Sequence, residues 1–436
     1  MPTNNDKFGL TPYQQVLRNL SDRIVEAQKP IRILNSLKWN AEIQEQFFRN
    51  KFKELPAVTQ DYYQKIPLTF DPDQKVEEFY DIERDIRRLL GQFSGVGNIM
   101  LRMCREYREV IRMLKARGTP EFPKISQELY GSSDDAFYAG APTLNDLALL
   151  VSETCARITT TPDPADEKKF SSEEAVSILG ERLASYFHEV DEQVHVKLSD
   201  DIIADAAAGA DVIRLRRDAR FSEREIRVFE VHEGWVHIGT TLNGMAQPVC
   251  TFLSKGPPSS TINQEGLAII MEVFTFSSYP NRVRRLTDRV TAVHLAEQGA
   301  DFIDVFNFYR DRGFSDVDSY ASTTRVFRGC LPNKGPFTKD LAYSKGFVMI
   351  YNYIRLALRE GLQSYIPLLF LGKTTLEDLH VLSVLMDEGI VTPPKYLPPQ
   401  FKDLAALVAW MSYSLFLNRL SLDRLTADYR GILQSK

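Results

Sequence analysis

Two imidazoles and a carboxylate fall within one short apolar stretch, Phe229-Glu230-Val231-His232-Glu233-Gly234-Trp235-Val236-His237. Residues of these types suit a catalytic zinc: neutral imidazoles supply two ligands, and the adjacent carboxylate can take a proton from water. The usual spacing is H-E-x-x-H, which puts both histidines on one face of an α-helix. Here it is H-E-x-x-x-H. At about 100° per residue, five residues leave the imidazoles roughly 140° apart on an ideal helix. Both reach one metal only if the helix takes in an extra residue as a π-bulge, a distortion that concentrates at functional sites. Gly234 suits such a loosening. The plainer alternative is two unrelated histidines on a core helix.

A catalytic zinc has three protein ligands and one open position. The third ligand must come from a following helix that packs on the motif helix. Glu265, in Ile262-Asn263-Gln264-Glu265-Gly266-Leu267-Ala268, is the natural candidate because Gly266 permits close backbone approach. An ordinary surface glutamate is the competing reading of that residue. Glu272, two turns further on, is either a rival ligand or a partner standing behind one. Glu233 would act as general base on water whose pKa zinc lowers to about 7, and then return the proton to a leaving amine. A developing oxyanion needs a donor, sought in 324–329 and in 337–343, which ends on Tyr343. Arg282, Arg284, Arg285 and Arg289 read as a solvated helix side balanced by Asp288.

These side chains need a frame. Residues 11–160 read as successive helices, the first capped by Thr11-Pro12 with Tyr13, Leu17, Leu20 and Ile24 on one face. The glycines of Gly91–Gly97 follow no strand and precede no Lys-Ser/Thr pair, so they mark a helix connection and not a phosphate loop. Residues 159–169 form a polar, proline-containing break. Ser171 with Glu174 opens the next helix as a capping box. Two strands follow, carried by Val194, Val196 and Leu198 and by Ile213 and Leu215; His188 and His195 read as structural. Ser222 with Glu225 then opens the motif helix. Helix, two strands and a metal-binding helix is the order of a zincin-like core, in which an edge strand lies above the metal. Beyond Thr261 the chain is helical again, with helices expected from Arg282 to Gln298, Ile303 to Arg312 and Thr338 to Glu360. A Thr374/Glu377 box opens another that ends near Gly389, and an apolar run, Leu404 to Leu417, comes last. The fold class is mostly α (α+β), divided into a helical region 1–160, a zincin-like core 170–350 with a small sheet, and a helical region 351–436 packed on the core.

Composition narrows the partners. With 53 basic and 58 acidic residues the net charge is −5, which disfavours nucleic acid as the main partner. Cys104, Cys155, Cys250 and Cys330 lie far apart, suggesting a reducing compartment and neither a disulfide framework nor a zinc knuckle. The N-terminus is polar and no apolar run is long enough to span a membrane, so a cytoplasmic protein without a membrane partner is expected.

His232-Glu233-x-x-x-His237 with Gln264-Glu265-Gly266-Leu267-Ala268 resembles the bacterial QEGLA-motif family, labelled flavohaemoglobin expression-modulating proteins and related to the microtubule-associated tyrosine carboxypeptidases. The likeness extends through Asn243-Gly244, Gln247-Pro248, Arg325-Val326-x-Arg328-Gly329 and Phe337-Thr338-Lys339-Asp340-x-x-Tyr343-x-x-Gly346. The resemblance implies zinc held by His232, His237 and Glu265, with Glu233 as catalytic base. Two departures, Gly-Trp-Val inside the motif and Gln264 before Glu265, spare those residues, but bulky Trp235 is expected to reshape the site. The resulting expectation is a zinc metallopeptidase, a carboxypeptidase acting on a peptide or protein C-terminus. Its substrate carboxylate would meet Arg325, Arg328 or Lys339, arginine being favoured for its bidentate fork, with Tyr343 assisting catalysis. The alternatives are a non-catalytic zinc-containing regulatory protein and a hydrolase of a small amide.

Overall fold

A computed structural model describes residues 9–158, 164–188, 194–200, 202 and 204–433. The polar N-terminal residues 1–7, residues 159–163 of the break, and Glu189 beside His188 lie outside them. The architecture is mostly helical with one small sheet, as the hydrophobic periods predict.

Local signals set most boundaries. Thr11 caps Pro12–Gln28 in a reciprocal box with Gln14, and Leu17, Leu20 and Ile24 are buried, while Tyr13, in the first turn of the same face, is half exposed. Pro72–Leu90 and Gly95–Lys115 pack together, joined through Gly91 in the left-handed region at φ 78°. Both predicted boxes, Ser171/Glu174 and Ser222/Glu225, are formed. The Thr374/Glu377 box is not. The Thr375 hydroxyl meets Asp378 instead, which also receives Arg102, so the chain enters Leu379–Asp387 through a 3₁₀ turn.

The two expected strands are β1 (His195–Ser199) and β3 (Val212–Arg216), paired in parallel. Between them in sequence lies an unanticipated strand, β2 (Ala206–Ala208), antiparallel to β3, giving the order β1-β3-β2. Three consecutive alanines carry little strand propensity and no alternation, so pairing alone creates β2. Among the described residues its other edge has no strand on it.

The helix bearing the motif is one continuous rod of three registers: α over Glu223–Phe229, π over Glu230–Ile238 and α over Gly239–Met245. Val231, Trp235 and Val236 enter a hydrophobic cluster shared with Leu20 and Met100 from the N-terminal helices and Phe370 and Met411 from the C-terminal ones. Ile226, Ile238 and Leu242 enter another, with Leu183, Ile213 and Leu215. Burial on two sides leaves one face for chemistry. Asn243 and Gln247 fasten the rod's end to the C-terminal segment through the backbones of Phe370, Thr392 and Tyr396. Among the described residues, no helix is long and apolar enough to cross a membrane.

The helix carrying Glu265, Pro258–Phe274, meets Ala342–Arg359 backbone to backbone. Gly266 therefore serves a contact other than the expected one with the motif helix: a Cβ there would lie 2.1 Å from the carbonyl carbon of Gly346. One on Gly346 would lie 1.9 Å from the Ile262 carbonyl oxygen. Because main chain cannot yield as a side chain does, Gly346→Ala should cost roughly 3 kcal/mol or more, the upper end for overpacking. A thermal midpoint matching wild type would refute this.

Candidate metal centre

In the π segment the Gly239 N–H bonds back to the Gly234 carbonyl, five residues earlier. The extra residue per turn removes the angular offset that the motif spacing would have on an α-helix. The His232 and His237 rings lie 4.8 Å apart, nearly perpendicular. Gly234 has a packing reason to be glycine as well, since a Cβ would sit 2.4 Å from Leu183 Cδ2. Within 231–240 only Glu233 and His237 escape full burial, so the exposed strip of the rod is the chemical one.

Glu265 Oε2 lies 3.4 Å from His232 Nε2 and 3.4 Å from His237 Nε2, and the ligand atoms of the three residues all fall within 4.8 Å of one another. That oxygen is buried and has no hydrogen-bond partner among the described residues. An orphaned carboxylate oxygen facing two imidazole nitrogens, all three from zinc-ligating residue types, fits a bound Zn²⁺. Glu272 supplies what such a histidine needs behind it: its Oε1 is 2.7 Å from His232 Nδ1, a contact that would keep a ring proton there and free Nε2 for a metal. Of its two possible positions, Glu272 therefore occupies the one behind His232. Arg282 grips it through Nε and Nη2 at 3.2 and 2.9 Å.

The charges are strongly coupled. Burial raises the Glu272 pKa, but Arg282 and His232 outweigh it and bring it down to about 2. Burial opposes protonation of His232, yet Glu265, Glu272 and the Glu233 charge push it up to about 10. Glu265 is held well below the carboxylate range against its own burial by His232, His237 and Lys339.

Glu233 projects beside these groups, its Oε2 accepting the Ala208 N–H of β2 at 2.9 Å. The unanticipated strand thus orients the candidate base. Eight of the residues singled out from sequence line one groove of about 400 Å³: His232, Glu233, His237, Glu265, Arg325, Arg328, Lys339 and Tyr343. They are differently engaged. Arg325 spends its fork on Asp340, at 2.7 and 3.0 Å. Lys339 Nζ stands 3.6 Å from Glu265 Oε1. Buried Arg328 has an Nε without a hydrogen-bond partner among the described residues, and burial beside Arg325 lowers its pKa to about 10. The Tyr343 ring stacks on His232, with the Arg289 guanidinium 4.8 Å from its centre.

A second cavity of about 180 Å³ shares His232, Glu233, Arg325 and Tyr343, and adds Arg282, Arg285 and Arg289. Of these three cavity-lining arginines, Arg282 and Arg289 are partly buried and not on a solvated helix side, whereas Arg285 is exposed, as the solvated reading expects. Their spacing, i, i+3 and i+7 on Pro280–Glu297, is one helical face and could have signalled the shared cavity; Arg284 falls off that face and bonds the Arg312 carbonyl. Trp235 does not shape the groove. It is buried, stacked on Tyr186 at 5.2 Å. His188 and His195 join no metal-holding group among the described residues. Lys373, which also lines the groove, had no signal in sequence.

The family model described as microtubule-associated tyrosine carboxypeptidase matches residues 45–419. No curated protein matches the chain.

Proposed function

The chain belongs to the microtubule-associated tyrosine carboxypeptidase family, and from that premise we propose that it is a zinc-dependent carboxypeptidase removing residues from a peptide or protein C-terminus. The orphaned Glu265 oxygen facing His232 and His237 carries this reading. We read Gln264–Ala268 as the mark of the bacterial QEGLA branch, and the helix Ser172–Tyr186, the three-stranded sheet and the motif rod as a zincin-like core.

His232, His237 and Glu265 would hold the metal, leaving one position open. Bound zinc supplies a Lewis acid that polarises a carbonyl and brings the pKa of water to about 7. Glu233 takes a proton from water and returns it to the leaving amine; the Ala208 N–H holds one of its oxygens and leaves the other to the substrate. Tyr343, oriented between His232 and Arg289, donates its hydroxyl to the developing oxyanion. The edge of β2 that pairs with no strand among the described residues would offer the main-chain groups not held by Glu233 to an extended peptide.

Of the three candidate cations for the terminal carboxylate, Arg328 is the best placed, because its fork is not spent as that of Arg325 is; Lys339 adds charge beside Glu265. Arg328→Ala should raise KM for free-carboxylate peptides roughly 30-fold, the lower end for losing a buried charge partner, and barely alter amidated ones. Equal effects on both would remove Arg328 from that role. The activity itself is tested by mass spectrometry of peptides incubated with purified protein. Loss of single C-terminal residues, abolished by a zinc chelator and restored by Zn²⁺, supports the proposal, and intact peptides with zinc-loaded protein would refute it.

A further inference from the structure

The two halves of the metal site ride on different helices, so something must fix the His237 end of the motif rod relative to Glu265. Lys373 sits at that junction. Its ammonium donates to the His237 carbonyl oxygen at 2.8 Å, to Thr240 Oγ1 at 3.0 Å and to Gln264 Oε1 at 3.0 Å, which uses all three of its protons. Thr240 Oγ1 is itself 2.7 Å from Gln264 Oε1, and Gln264 Nε2 donates to the Gly372 carbonyl at 3.3 Å. The ring of bonds therefore closes on the loop from which Lys373 projects. That loop is pinned: the Lys373 N–H donates to the Leu253 carbonyl oxygen at 2.7 Å, and a Cβ on Gly372 would lie 2.5 Å from the same oxygen.

Each acceptor is informative. His237 is a ligand position, Gln264 adjoins the ligand Glu265 in sequence, and Thr240 lies in the first turn after the π segment. No carboxylate accepts from this ammonium among its hydrogen bonds, and burial works against its charge. An ammonium kept here costs desolvation that an apolar side chain would avoid.

We propose that Lys373 is a positioning residue for the metal site: through the His237 carbonyl, Thr240 and Gln264 it locks the end of the π-helix to the Glu265 helix and so sets the separation of the ligands. This rests on the zinc reading above. It also opposes simple electrostatics, by which removing a cation from beside a metal would tighten zinc binding.

Zinc dissociation constants are measured by chelator competition on folded wild type, Lys373→Met and Thr240→Val, with the visible absorption of the Co²⁺-loaded proteins as a second readout. Lys373→Met should bind zinc about 10–100-fold more weakly, as expected when support behind a ligand is lost, and its cobalt spectrum should change. Thr240→Val, nearly isosteric, removes one leg and should weaken zinc several-fold in the same direction, which keeps the test open if the methionine variant fails to fold. A variant binding zinc as tightly as wild type or tighter, with an unaltered cobalt spectrum, overturns the proposal. Wild type that binds no zinc fails the underlying reading, and this inference falls with it.

Discussion

Glu233→Gln should keep about one zinc per chain, the stoichiometry of a three-ligand catalytic site, and lose roughly 10²–10⁴-fold in turnover, the usual weight of a positioned general base. Glutamine has nearly the same shape, and its amide oxygen can still accept the Ala208 N–H that holds Glu233. The groove and the ligands should therefore survive. What disappears is basicity, because an amide cannot take the proton from water. Elemental analysis beside kcat on one free-carboxylate peptide reads both halves of the result. A variant within tenfold of wild type would remove Glu233 from the base role, and one that lost its zinc would recast it as a structural residue.

His237→Ala should strip the metal and, with it, essentially all peptidase activity, while leaving the fold standing. The imidazole is half-buried on the exposed strip of the rod, so its removal opens no cavity in the core. Two ligands cannot hold zinc against the protein's own protons and a mild chelator. The π register makes a sharper form of the test. On an α-helix, moving the second histidine back one position would restore the common H-E-x-x-H site. Here position 236 faces the core, where Val236 is 0% exposed. The pair Val236→His with His237→Ala should therefore recover no zinc. Recovery of stoichiometric metal by that pair would mean that the rod is α-helical in solution and that the five-residue geometry is wrong.

How far the sequence reaches differs from element to element. The caps at Thr11, Ser171 and Ser222 were legible because each box closes within a single turn. The box expected at Thr374 failed because its neighbour Asp378 answers to Arg102, a residue 276 positions away. β1 and β3 showed in their alternation, whereas β2 is three alanines that become a strand only by lying against β3. The arginines at 282, 285 and 289 were visible as residues, but their surroundings were not. One helical face reads alike whether it meets solvent or a cavity, and only the fold puts Glu272 and Tyr343 beside it.

By itself the sequence supplied the two imidazoles with Glu233 beside them and the need for a distorted helix if both are to meet, because two histidines five apart cannot share one face of an α-helix. That argument is local: it depends on one rod and the rise and turn of its residues. Tertiary structure alone decided which carboxylate faces the imidazoles and which stands behind them, what orients Glu233, why Gly266 is glycine, where Trp235 goes, and how Lys373 reaches His237 across 136 residues. These depend on the packing of rods against one another. Such packing is set by buried area summed over the whole chain, and it leaves no periodic trace at the residues it brings together.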